Sequence, residues 1–214
     1  MKINDNIISA MNYIIEHPSN TGGHQFEDYV YKVFRRFLHT KNDSKVTCRV
    51  DTSGNIMKVS GYDEHKGTHV IEQPNGSQNW PDFIIMRENN CLCFEIKTGK
   101  GGKITWNSGF PKKNCIYIYK DMNDHRVYYF LGVDRLEGVE ENVSTLKDEF
   151  EKEFKLLAKK LFEEAKFKPL KDKNISHYAR SMWNDSTNYS AHGNKDDWMK
   201  RVYDYIHTLK WDNK

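Results

Sequence analysis

Positions 7, 8, 11, 14 and 15 are apolar, three or four residues apart, and Pro18 follows them. That is one face of a helix with a stop signal behind it. After Thr21-Gly22-Gly23 a stronger stripe of Phe26, Tyr29, Val30, Val33, Phe34 and Phe37 predicts a second helix, with Glu27, Lys32, Arg35 and Arg36 off the stripe. The period then changes. Lys45 to Val50 reads as a short strand, whereas Thr52 to Asn79, rich in Gly, Asn, Ser and His, reads as an irregular insertion or a ragged hairpin. Phe83 to Met86 and Cys91 to Lys97 read as strands joined by turn chemistry at Arg87 to Asn90. Ile116 to Tyr119 and Val127 to Val133 read as two more, with Asn123-Asp124 as a hairpin turn. Leu146, Phe150, Phe154, Leu157, Leu161 and Ala165 predict a long helix from about Thr145 to Phe167, with Thr145 as N-cap and Asp148 and Glu149 in its first turn. Lys168 to Asn194 is polar and reads as mostly loop, and Trp198, Val202, Ile206 and Leu209 predict a last helix from about Asp196 to Leu209. Helices, then strands, then helices predict an α/β (α+β) chain with one central mixed β-sheet flanked by helices.

Composition narrows the function classes. At 214 residues the chain is expected to form a single domain, with about 168–214 as a C-terminal arm. Thirty-three Lys+Arg against 30 Asp+Glu leave a net charge of +3, so an anionic partner has to be argued from local clustering. No run reaches the ~18–20 apolar residues of a membrane span, and the first residues lack a signal-peptide profile, so no membrane partner is expected. Four cysteines (Cys48, Cys91, Cys93, Cys115) are few for this length and favour a reducing, cytoplasmic setting over a disulfide scaffold. Cys91 and Cys93 lack the spacing and the partner pair of a structural zinc site, and read as small buried thiols. No glycine-rich phosphate loop follows a strand, so no nucleotide cofactor is expected.

The chemistry concentrates at Pro81-Asp82 and Glu95-Ile96-Lys97. Side chains alternate along a strand, so Leu92, Phe94 and Ile96 point to a core while Cys91, Cys93, Glu95 and Lys97 share the other face. A short hairpin between the two strands brings Asp82 close to Glu95. Two carboxylates and an ammonium then converge at one end of a sheet. A hard divalent cation such as Mg2+ takes oxygen ligands, typically one or two carboxylates plus a substrate phosphate. A neighbouring lysine orients or helps deprotonate a water, or neutralises developing charge. The competing reading is a solvated cross-strand charge set.

These residues resemble the PD-(D/E)XK motif of the restriction-endonuclease-like nuclease superfamily, over roughly Gly22 to Tyr119. The resemblance implies a restriction-endonuclease-like core, metal binding by Asp82 and Glu95, and catalysis by Asp82, Glu95 and Lys97. Glu27 matches the superfamily's helix glutamate only loosely. It is a third candidate metal ligand, or else an ordinary solvent-facing helix charge. The size of the chain and the absence of helicase, methyltransferase or zinc modules make it look most like a type II restriction endonuclease. That resemblance implies one or two Mg2+ ions per active site, with Mn2+ able to substitute and Ca2+ binding without supporting cleavage. It further implies hydrolysis of double-stranded DNA to 5′-phosphate and 3′-hydroxyl ends, and a homodimer that uses the long and C-terminal helices. The rivals are a junction resolvase, a repair nickase, a homing endonuclease or a non-catalytic DNA-binding protein.

From Lys97 to Lys120 there are six lysines and no Asp or Glu. This basic stretch is the expected duplex-binding surface, with Lys100, Lys103, Lys112 and Lys113 on the backbone and Trp106, Asn107 and Ser108 near the bases. Gly99, Gly101 and Gly102 let its backbone approach closely or move. The alternative is an exposed loop with Trp106 packed inward. Arg180, Asn184 and Asn188 form a second candidate DNA-contact set.

Overall fold

The first apolar stripe forms α1 (Ile3–Glu16), with Ile3, Ile7, Ala10, Met11 and Ile14 buried. The second forms α2 (His24–Phe37) behind Gly23, whose φ of +53° a side chain would resist. Glu27 in the first turn of α2 and Arg35 and Arg36 in its last suit the helix dipole. The computed structural model describes residues 2–40, 46–51, 53–61, 67–76, 79–88, 90–106, 111–136, 140–164, 183–185 and 195–211.

The strands follow in chain order: β1 (Thr47–Val50), β2 (Ile56–Ser60), β3 (His69–Glu72), β4 (Phe83–Arg87), β5 (Asn90–Gly99), β6 (Ile104–Trp106), β7 (Cys115–Asp121), β8 (Val127–Leu131) and β9 (Trp183–Asp185). The short α3 (Val133–Leu136) and long α4 (Glu140–Glu163) come after β8, and α5 (Lys195–Thr208) comes last. Five strands make one mixed sheet in the order β3-β4-β5-β7-β8, antiparallel except for the parallel β5–β7 pair. The expected mixed α/β architecture with a central sheet is therefore observed.

Both faces of that sheet are covered. Phe83, Ile85, Leu92, Phe94, Ile96, Ile116 and Ile118 form one core with the apolar faces of α1, α2 and α5. Ile84, Met86, Cys93, Cys115, Tyr117 and Tyr119 form a second core beneath Cys48 and Val50 of β1, Ile104 and Trp106 of β6, and Trp198 of α5. α5 packs along β8, which commits its apolar side to the chain's own cores.

One expectation needs correction and two become more definite. The segment 52–79 is not merely irregular. It supplies β2, which pairs with β1, and β3, which edges the central sheet. α4 starts at Glu140, so Thr145 lies inside the helix and is not its N-cap. β9 lies within the expected 168–194 loop and pairs with β6, so this polar stretch includes sheet structure.

Candidate active site

The register of β4 on β5 sets Phe83 opposite Phe94, and one further step sets Asp82 opposite Glu95. Behind the two acids, the Phe83 and Phe94 rings stack with centroids 4.6 Å apart, and Phe34 of α2 packs against both. The hydrophobic contact that fixes the hairpin thus also fixes the distance between the acids.

The expected triplet does converge. The Ile96 N–H donates to Asp82 Oδ2 at 2.6 Å, and Lys97 Nζ donates to Glu95 Oε1 at 2.7 Å. The Glu95 side chain is 5% exposed and that of Lys97 13%. Glu95 Oε2 is buried without a hydrogen-bond partner. Burial, then the charge of Glu95, push the Asp82 carboxyl up to about 7; Glu27 adds to the rise, and the Ile96 N–H and Lys97 oppose it. Burial pulls the Lys97 ammonium down, but Glu95 and Asp82 more than offset this, so its pKa is raised.

Glu27 sits in the first turn of α2, within electrostatic reach of Asp82, and its Oε2 lies 3.4 Å from His24 Nδ1. Among the described residues, no group of three or more His, Cys, Asp or Glu side chains is placed to hold a metal ion. What the geometry provides is a two-carboxylate pair with an orphaned oxygen.

Several residues that the sequence did not single out hold this site. Tyr31 of α2 donates its hydroxyl to the Asp82 carbonyl at 3.3 Å, and the Gln73 N–H donates to the same oxygen at 2.7 Å. Asn75 accepts from the Val50 N–H and donates to the carbonyls of Val50 and Trp80, which ties the β1–β2 hairpin to the loop entering Pro81-Asp82. Pro74-Asn75-Gly76 is turn chemistry, the one signal by which Asn75 was visible in the sequence.

The basic stretch divides. Lys100, Lys103 and Lys113 are exposed and Lys112 is half-buried. Lys120 is fully buried on the helix-covered face. Its Nζ donates to the carbonyls of Ser19 and Thr21 and lies 4.9 Å from the Phe26 ring centroid, so it anchors the entry to α2. Trp106 also departs from expectation: it is 4% exposed and set edge-on to Tyr117, with no face left for a base. The glycine turn after β5 is tied rather than loose, because Asp121 accepts the N–H groups of Gly101 and Gly102 and the Met122 N–H donates to the Gly99 carbonyl. Asn184 lies on β9 opposite Thr105. Asn107, Ser108, Arg180 and Asn188 lie outside the described residues.

The β1–β2 hairpin covers the same sheet face and carries a feature the sequence reading missed. Arg49 and Lys58 are register partners, both exposed, and neither forms an ion pair with an acid among the described residues. Like charges directly opposite each other weaken a strand pair. The thiols below them are free; Cys48, Cys93 and Cys115 are buried, and burial raises Cys48 and Cys115 well above the usual thiol range. Such thiols are poor nucleophiles and poor metal ligands.

In comparisons with protein-family models, curated proteins and solved structures, the chain has no significant match.

Proposed function

We propose that this chain is a Mg2+-dependent endonuclease with a restriction-endonuclease-like core that cuts double-stranded DNA at a short site, in the manner of a type II restriction enzyme. The convergence of Asp82, Glu95 and Lys97 where the start of β4 meets β5 carries this reading.

The donor set suits a hard divalent cation. Such an ion takes carboxylate oxygens, and Glu95 Oε2 is a buried carboxylate oxygen with nothing to satisfy it. Asp82 and Glu95 would hold the ion, with Glu27 as a further oxygen donor near Asp82. The bound ion polarises a phosphate and lowers the pKa of a coordinated water. Lys97, kept protonated by its two acids, supplies positive charge where the phosphate gains negative charge and donates to the attacking water. Hydrolysis forms a bond from the water oxygen to phosphorus and breaks the bond to the 3′ oxygen, which takes up a proton. The products are 5′-phosphate and 3′-hydroxyl ends.

The exposed cations Lys100, Lys103, Lys113, Arg49 and Lys58 are the candidates to meet the DNA backbone. Digestion of a known plasmid in Mg2+, followed by sequencing of the ends, tests the reading. Discrete fragments with a common end sequence support it. Cutting confined to branches or mismatches would favour a resolvase or a repair nickase instead.

A further inference from the structure

Met57 of β2 is 71% exposed, more than any other large apolar residue among the described ones. A bulge sets it there. Arg49 pairs with Lys58 and Val50 with Ile56, so the register passes over Met57. Side chains alternate along a regular strand, and this interruption leaves Met57 and Lys58 both exposed while Ile56 and Val59 pack on the core beneath. Met57 thus stands beside the facing like charges of Arg49 and Lys58. Asp51, the one acid of the hairpin, is engaged in its turn with the Ser53 and Asn55 N–H groups and the Asn55 amide. The hairpin is held where the register shifts. Asn75 bonds both backbone groups of Val50 and the carbonyl of Trp80, two residues before Asp82.

We propose that the β1–β2 ribbon is a DNA-reading arm, with Arg49 and Lys58 on the phosphates and the Met57 thioether wedged against a base step. The assignment deepens the duplex-DNA reading and rests on it. An antiparallel two-stranded ribbon is narrow enough to enter a DNA groove. Two cations that face each other repel, and phosphates relieve that repulsion. The apolar tip beside them gains nothing from phosphates. What it can meet inside a groove is the flat face of a base pair, and methionine is among the side chains that insert between base steps. One apolar side chain among cations offers too little apolar area for the core of a protein interface. The tether through Asn75 holds the arm in a fixed relation to Asp82, so the step that Met57 opens lies at a set place relative to the scissile phosphate.

The test is binding of a short mixed-sequence duplex in Ca2+, with a 2-aminopurine placed in turn at each adenine to report unstacking. Met57 is exposed, so its replacement should leave the fold intact, and thermal melts check this. Met57→Ala is expected to weaken binding by roughly tenfold with the salt slope unchanged, because no phosphate contact is lost. Wild type is expected to raise the 2-aminopurine signal at one step, Met57→Leu to keep both the affinity and the signal, and Met57→Ala to lose the signal. Undiminished binding by Met57→Ala, a signal that does not depend on residue 57, or no duplex binding by wild type overturns the proposal. The two readings fail separately. Cleavage by a wild type whose binding ignores residue 57 removes the wedge and leaves the nuclease. Binding and unstacking that depend on Met57, with no cleavage in Mg2+, remove the nuclease and leave a DNA-binding arm.

Discussion

Lys97 Nζ lies 2.7 Å from one oxygen of Glu95, and the other oxygen of that carboxylate is buried without a partner. One strand thus presents a half-satisfied acid. On the neighbouring strand Asp82 is held beside it by the Ile96 N–H. A buried acceptor left in this state is expensive unless something else satisfies it.

That asymmetry fixes what removing the ammonium should do. Lys97→Met leaves Glu95 buried beside no cation, which costs about 3 kcal/mol when one member of a buried pair is lost. Cleavage should fall by roughly 100-fold or more, with duplex binding in Ca2+ largely kept. The thermal shift caused by added divalent cation should be larger in Lys97→Met than in wild type, because the ion replaces the lost charge. An equal or smaller shift would mean that the ion does not bind at Glu95.

Asp82 ties stability to pH. In an unfolded chain an aspartate ionises near about pH 4. In the fold Asp82 keeps its proton up to about 7. The folded state therefore binds more protons between these values, so the Asp82 contribution is full below the lower one and disappears as pH rises through the upper one. The melting temperature of wild type relative to Asp82→Asn should fall as pH is raised from about 5 to about 8. Added divalent cation should stabilise wild type more at the alkaline end, where both carboxylates are ionised. A relative melting temperature that rises over this interval would show the shift to have the wrong sign.

The lysines and arginines should separate by position. Replacing Arg49 and Lys58 together by Ala should lower the slope of log affinity for duplex DNA against log salt by about 2, with little loss of thermal stability. Relief of the facing like charges even favours a slight gain. Lys120→Met should do the opposite, because it leaves the Ser19 and Thr21 carbonyls without their donor, at a cost of about 1–3 kcal/mol, and leaves the salt slope unchanged. Binding titrations at several salt concentrations, run beside thermal melts, read both. A salt slope lowered by Lys120→Met would place that lysine on the surface after all.

Much of this was legible in the sequence because long periodic stretches fix both element type and face. Leu92, Phe94 and Ile96 alternate with Cys93, Glu95 and Lys97, and the two sets do enter opposite faces of the sheet. The hairpin from Phe83 to Lys97 was readable for the same reason. β3 was not, because its apolar signal is only Val70-Ile71 inside a stretch of turn-forming residues. β7 extends through Lys120 and Asp121, two charged residues that read as a strand end yet are buried, one by backbone carbonyls and one by backbone N–H groups. Trp106 was ambiguous for a related reason: a single aromatic in a basic stretch looks the same whether it stacks on a base or on Tyr117. Side-chain chemistry is local in the sequence, whereas the partners that satisfy it come from distant segments.

The most direct test of the metal-centred acid pair is single-turnover cleavage of duplex DNA in Mg2+ by wild type and Asp82→Ala, with binding measured in parallel in Ca2+. The expected result is cutting by wild type that chelation stops, and a loss on the order of 1000-fold in Asp82→Ala with site binding retained. Uncut DNA with wild type, or cutting by Asp82→Ala at the wild-type rate, would contradict the account.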